Sequence, residues 1–320
     1  MQHVFGPVTS SRLGRSLGLD LLGAPICSMD CLYCEVGPTR ELTSHRAAYV
    51  PAAKLLDELA QWARRHDAPD VVTLGGMGEP CLNLELEQII EGCRGVLPGV
   101  PVAVLTNSTP LADPAVRAEL AGADLVLPSL DSLVESEFAA LNRPAGGVTA
   151  RATAEALLAF REEFAGRVYL EVLLASGIND SEANLELLRD FTAKLRPHRV
   201  DVTTLSRPGT SSRAKAADAD ALERFQAALD AGAQPESHGM AAQHPETTPR
   251  SMESGRRELT DEPIREILLS TLRRRPQTPD QISGALALPE ERVRRELAEM
   301  AQDGLIDCRD EFYAPSGFFE

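Results

Sequence analysis

Three thiols fall within eight residues in Cys27-Ser28-Met29-Asp30-Cys31-Leu32-Tyr33-Cys34, directly after an apolar run. Thiolates this close together suit a soft metal ion or an iron–sulfur cluster. The set is one ligand short. A structural zinc site closes with a fourth Cys or His and an electron-transfer cluster with a fourth Cys, whereas three thiolates on a cube leave one iron open to another molecule. Zinc stays open as an alternative, with His45 or Cys81 as the fourth ligand. A disulfide fits less well. Met1-Gln2-His3-Val4-Phe5 has neither the basic start nor the apolar core of a secretory signal, which points to a reducing compartment.

A second stretch, Gly75-Gly76-Met77-Gly78-Glu79-Pro80, follows the apolar run Val71-Val72-Thr73-Leu74. Without a Cβ, glycines at a strand end let backbone polar groups approach a ligand closely, although the same residues also make a plain tight turn.

Cys-x3-Cys-x2-Cys with an aromatic before the last Cys resembles the signature of the radical S-adenosylmethionine (SAM) superfamily. The resemblance implies that Cys27, Cys31 and Cys34 hold a [4Fe-4S] cluster, with the amino and carboxylate groups of SAM on the fourth iron. It also implies a one-electron donor such as a flavodoxin or ferredoxin, reductive cleavage of SAM, and a 5′-deoxyadenosyl radical that takes hydrogen from substrate. The glycine stretch is similar to the family's GGEP-type motif, which assigns Gly75, Gly76 and Gly78 to the SAM amino group and makes Glu79 a supporting carboxylate. By position Tyr33 resembles the aromatic whose backbone meets adenine, and Asn107 or Ser108 the polar pair reaching the ribose or carboxylate. Ile178 lies in Gly177-Ile178-Asn179-Asp180-Ser181-Glu182, which resembles an adenine-side motif after the fifth strand and reads equally as a helix N-cap.

These residues need a frame. Short apolar strands are expected at 17–22, 71–74, 102–105, 125–127, 168–174 and 200–205. Helical spacing is expected at 51–65, 84–96, 114–121, 134–141, 149–164, 182–195 and 219–229. Six strands each followed by helix make an α/β protein, and with the resemblance a partial (β/α)6 radical SAM barrel over residues 1–231. Chemistry gathers at the C-terminal strand ends of such folds, where the motifs above fall. Candidate substrate contacts there are Ser129, Asp131 and Arg207, with Asp131 reading also as a helix cap. Arg12 and Arg15 join them from 4–15, a turn-rich stretch that reads either as a solvated loop or as the entry segment of a branch similar to wyosine synthases. Cys81 and Cys93 read as small buried residues.

Residues 232–258, including His238 and His244, are polar and Pro-containing with no apolar period, as expected of a flexible linker. Residues 259–320 regain order as three helices and a hairpin, resembling a winged helix-turn-helix domain. Its third helix mixes Glu290, Glu291, Glu296 and Glu299 with Arg292, Arg294 and Arg295, which favours a docking or substrate-presenting role over DNA binding. The whole chain points the same way: with 320 residues and a formal net charge of −16, it has few cations to displace counterions from a phosphate backbone. No apolar stretch reaches membrane-spanning length, so a cytoplasmic protein with no membrane partner is expected.

The leading expectation is a radical SAM enzyme acting on an unidentified small molecule, peptide or RNA. One alternative makes the substrate a tRNA base, by similarity to wyosine synthases. Another is an Fe–S or zinc regulator that binds nucleic acid through the winged helix.

Overall fold

The structure, a computed structural model, describes residues 1–10, 12–207, 209–234, 261–273, 275–286 and 288–318. Most of the expected linker, from 235 to 258, lies outside the described residues together with His238 and His244.

The chain opens with a strand, β1 (Val4–Ser10), that pairs antiparallel with β2 (Gly14–Asp20). The solvated loop expected at 4–15 is therefore a hairpin, hidden in the sequence by Gly6-Pro7 and by a register irregularity between Phe5 and Val8. Pro is tolerated there because β1 is the sheet edge. A two-residue ladder follows, β3 (Ile26–Cys27) beside β4 (Glu41–Leu42), with the cysteine loop between its strands. Regular βα units come next: α1 (Ala52–Ala63), β5 (Val71–Gly75), α2 (Leu86–Val96), β6 (Val102–Thr106), α3 (Pro114–Glu119), β7 (Leu125–Pro128), α4 (Glu135–Asn142), α5 (Ala150–Glu163), β8 (Arg167–Leu174), α6 (Glu182–Leu195), β9 (Arg199–Thr204) and α7 (Ala219–Asp230).

The sheet order is β1-β2-β5-β6-β7-β8-β9, with every strand from β2 onward parallel to its neighbour. Alternation within the strands explains the layers. Leu17, Leu19, Val72, Leu74, Val104, Val126, Leu170 and Val172 point to the helices and build the main core. The intervening residues of the central strands, among them Ala103, Leu127 and Tyr169, form a separate cluster on the inner face. That face is concave. Arg12, in the turn after β1, ion-pairs with Glu171 of β8, although four strand spacings of about 4.8 Å separate β2 from β8 along the sheet. Only a sheet curled into a half-barrel brings the two together.

Three more helices, α8 (Asp261–Leu272), α9 (Pro279–Leu286) and α10 (Glu290–Gln302), precede an antiparallel hairpin of β10 (Ile306–Arg309) and β11 (Phe312–Pro315). Ile264, Leu268, Ile282, Val293, Leu297 and Ile306 bury one another in a core separate from that of the barrel. Helices α8 and α9 pack against β1, covering the edge that would otherwise invite strand pairing. Because the two cores share no residue, Leu297→Ala should cost roughly 2–5 kcal/mol in the C-terminal unit alone. Calorimetry is expected to show a new low-temperature transition ahead of that of the barrel.

Candidate active site

The cysteine loop leaves the barrel after β3 and is braced at three points. The Leu32 N–H donates to the Leu141 carbonyl at 2.9 Å, and the Asp30 N–H to the Asn142 carbonyl at 3.1 Å, so the end of α4 supports the loop from below. Arg143 adds an ion pair to Asp30 at 2.6 Å. From above, the Thr210 hydroxyl donates to the Cys31 carbonyl at 2.9 Å. Inside, the Tyr33 hydroxyl donates to buried Asp131 at 2.6 Å. The same carboxylate accepts from Asn142 Nδ2 at 2.7 Å and from the Leu173 N–H at 2.9 Å. Burial pushes the Asp131 carboxyl above the usual range, and these three hydrogen bonds pull it back. Asp131 therefore ties the cysteine loop to β8; the helix after it is preceded by Val134, not capped by Asp131.

Cys27, Cys31 and Cys34 are free and half-buried. Burial pushes the Cys27 thiol up to about 12, with the Glu79 carboxylate adding to the rise. Cys31 is also raised, by burial and then by the neighbouring Cys34, Asp131 and Cys27. Each sulfur nonetheless has donors directed at it. Asn107 Nδ2 lies 3.3 Å from Cys27 Sγ, where the Met29 N–H also bonds. Asn142 Nδ2 lies 3.5 Å from Cys31 Sγ, and the Val36 and Gly37 N–H groups bond Cys34.

The glycine edge joins this loop directly. Gly78, at φ +128°, bridges to Ile26, and a Cβ there would stand 1.9 Å from the Ile26 carbonyl oxygen, one residue before Cys27. Gly76 is also closely packed, its missing Cβ facing Asp20 at 2.8 Å. Glu79 is buried and accepts from the Cys81 N–H at 3.0 Å, the Thr106 hydroxyl at 2.8 Å and the Asn107 N–H at 2.6 Å, which locks the end of β5 to the end of β6.

Residues 21–188, more than half of the chain, match the Radical SAM superfamily. The chain belongs to that superfamily. A UPF0026 protein of Synechocystis sp. is 38% identical over 208 residues, covering 64% of this chain and 76% of that protein. The GTPase Obg of Brachyspira hyodysenteriae is 29% identical over 305 residues; the match takes in 95% of this chain but only 43% of that protein's length. Streptococcus suis SuiB bound to precursor peptide SuiA shares the fold, with a TM-score of 0.51 and 18% identity over 67% of this chain and 45% of that one.

Radical SAM proteins use a [4Fe-4S] cluster and SAM, and the three-thiol loop suits that cluster. Amide donors at all three sulfurs stabilise the anionic form that iron requires and that burial alone opposes. Among the described residues no three His, Cys, Asp or Glu side chains group tightly enough for a single ion. Thiolates that each take a different iron of a cube need not converge on one point, whereas the four ligands of zinc must. Neither Cys81, fully buried with its N–H on Glu79, nor the exposed His45 joins the three thiols in such a group.

The other expected residues divide. Ile178 packs with Tyr33 and Leu32 against the cysteine loop. The N-cap alternative for its stretch falls on Ser181, whose hydroxyl accepts from the Asn184 N–H at 3.1 Å. Ser108 is fully buried and donates to the Ser129 carbonyl at 2.8 Å, tying the ends of β6 and β7 together. Arg12 and Arg207 line a cavity of about 430 Å³ that opens beside Gly75 and Gly76. Arg15 does not; it is exposed at the start of β2, at the opposite end of that strand from Asp20. Asn142, Glu35, Arg275 and Gln277 have no motif of their own and were not expected. The one signal was position, since Glu35 directly follows the last cysteine.

Gly75 and Gly78 separate two roles by experiment. A Cβ on Gly75 meets only Leu105, at 3.8 Å, so Gly75→Ala should fold and keep its iron. Gly78→Ala should cost more than about 1 kcal/mol and lose most cluster iron on anaerobic reconstitution, as measured by iron analysis.

Proposed function

We propose that this chain is a radical SAM enzyme that binds a [4Fe-4S] cluster through Cys27, Cys31 and Cys34 and holds SAM against the glycine edge. When bound, the cluster and SAM supply one-electron reductive cleavage and a 5′-deoxyadenosyl radical for hydrogen abstraction. The amide donors aimed at all three sulfurs carry this reading, since a protein with no use for anionic sulfur there would gain nothing from them.

The chain's residues have distinct tasks. Asn107, Asn142 and the Met29, Val36 and Gly37 N–H groups neutralise the sulfurs and set the cluster's electronics. Gly75, Gly76 and Gly78 expose backbone to the SAM amino group, with Glu79 fixing the loop. Asn107 would meet the SAM carboxylate or ribose, with Ser108 supporting it, and Tyr33 and Ile178 would wall the adenine side. Substrate occupies the cavity between Arg12, Arg207 and the glycine edge; Ser129 and Asp131 are not among its lining residues and instead tie strand ends and the cysteine loop together. Arg15, exposed at the far end of β2, is assigned no substrate contact.

The barrel spans 1–231 and the C-terminal domain 259–320, joined by a linker at 232–258. Three helices followed by an antiparallel hairpin support a winged-helix reading of that domain. No helix among the described residues is long and apolar enough to cross a membrane, and a cytoplasmic flavodoxin or ferredoxin suits the electron requirement. Protein reconstituted anaerobically with iron and sulfide is expected to take up about four of each and, once reduced, to convert SAM to 5′-deoxyadenosine. Cys31→Ala should abolish both. One tightly held zinc with no iron uptake would overturn the reading.

A further inference from the structure

The cavity beside the glycine edge is walled by two parts of the chain. Ser16, Thr73 and Leu105 come from the inner face of the sheet, and Thr271, Arg275 and Gln277 from the C-terminal unit. The two parts are held together by a charged seam next to the cysteine loop. Glu35 pairs with Arg207 at 3.1 Å and with Arg275 at 3.7 Å, and Arg207 Nε donates to Gln281 at 3.0 Å. Near the C-terminus, Phe318 lies over Gly37.

Charge in this cavity is out of balance. Arg12, Arg207 and Arg275 all line it, while Glu35 serves two of them and Glu171 the third, and Asp201, itself paired with Arg199, adds attraction at Arg12. The side chains are only 29%, 17% and 35% exposed, so water screens their repulsion poorly. After burial, the largest influence lowering the Arg275 pKa is Arg207, and Arg12 adds to it. Gln277 fixes the wall on the side of the C-terminal unit: it is 1% exposed, its backbone is held by reciprocal hydrogen bonds with Tyr313 at 3.0 and 2.9 Å, and it lines the same cavity.

We propose that Arg12, Arg207 and Arg275 bind an oxyanion, carboxylate or phosphate, of a small-molecule substrate. The C-terminal unit is thus part of the substrate site. Guanidinium forks match both oxyanions in a bidentate manner, and 430 Å³ is room for a small molecule carrying one. The proposal deepens the enzyme reading and rests on it for the word substrate, but anion binding is measurable by itself.

The test uses the full chain with its cluster reconstituted, titrated calorimetrically with inorganic phosphate in one arm and glutarate in the other, with iron content and SAM affinity recorded on the same samples. At least one anion should bind with a Kd below about 10 mM, and the stronger arm identifies the oxyanion. Arg275→Met and Arg207→Met should each weaken it about tenfold or more, since hydrogen bonds to charged groups are the strong ones. Arg275→Lys should fall between, and Arg15→Ala should leave it unchanged. Iron content and SAM affinity should hold across the Arg275 variants, which separates this outcome from a failure of the enzyme reading, where wild-type protein itself would lack both. No binding of either anion at 10 mM, or binding indifferent to both Arg275 variants, would overturn the proposal.

Discussion

The buried carboxylate of Asp131 is the interaction on which the site's geometry depends. Its side chain joins Tyr33 in the cysteine loop, Asn142 at the end of α4 and the Leu173 N–H of β8. Its own carbonyl accepts from Asn179 at 2.8 Å and Asn184 at 3.0 Å. A carboxylate taken out of water is costly unless its lone pairs are filled, and here three donors fill them. Removing one partner would leave a buried charge short of a donor, which ordinarily costs more than the lost hydrogen bond alone. The network thus makes the loop's position depend on the strand register of the barrel.

Glu79 performs the matching task on the other side of the loop. It joins the glycine edge to Thr106 and Asn107, and Asn107 in turn reaches Cys27. The two carboxylates hold the cysteine loop from the C-terminal ends of two different strands, β5 and β7. This arrangement sets acidic groups near sulfurs that must become anionic, so amide donors are required in between. Asn107 and Asn142 fill that place, each bonding one carboxylate's neighbourhood and one sulfur.

Much of this was legible in the sequence, and the reason is local. Helices α6 and α7 and strands β5 to β9 are bounded by strong apolar periods, and Pro51 sits at the start of α1 as its type and position suggest. Cysteine spacing and a Gly-rich strand end are contiguous signals, so Cys27, Cys31, Cys34 and Gly75 to Gly78 could be picked out without any tertiary information. What could not be read depends on distant parts of the chain. β1 is defined by its partner β2 rather than by its own residues, with Gly6-Pro7 inside it. Asn142 matters because α4 ends beneath the cysteine loop, and Asp131 because β8 stands beside it. Nothing in their neighbours along the sequence distinguishes them from ordinary capping residues.

The net charge shows the same limit from another direction. A chain of −16 reads as hostile to anions, and over its surface at large that inference holds. Charge summed over a sequence carries no information on where the cations converge. Three arginines separated by 195 and 68 residues, Arg12 to Arg207 and Arg207 to Arg275, meet in one cavity because the sheet curls and the C-terminal unit folds back over β1. Carboxylates on the outer surface are screened by water and salt, whereas these partly buried guanidinium groups act on one another at short range. An acidic protein with a cavity of this kind repels polyanions at long range while leaving a small anion, once inside, the guanidinium donors proposed to bind it.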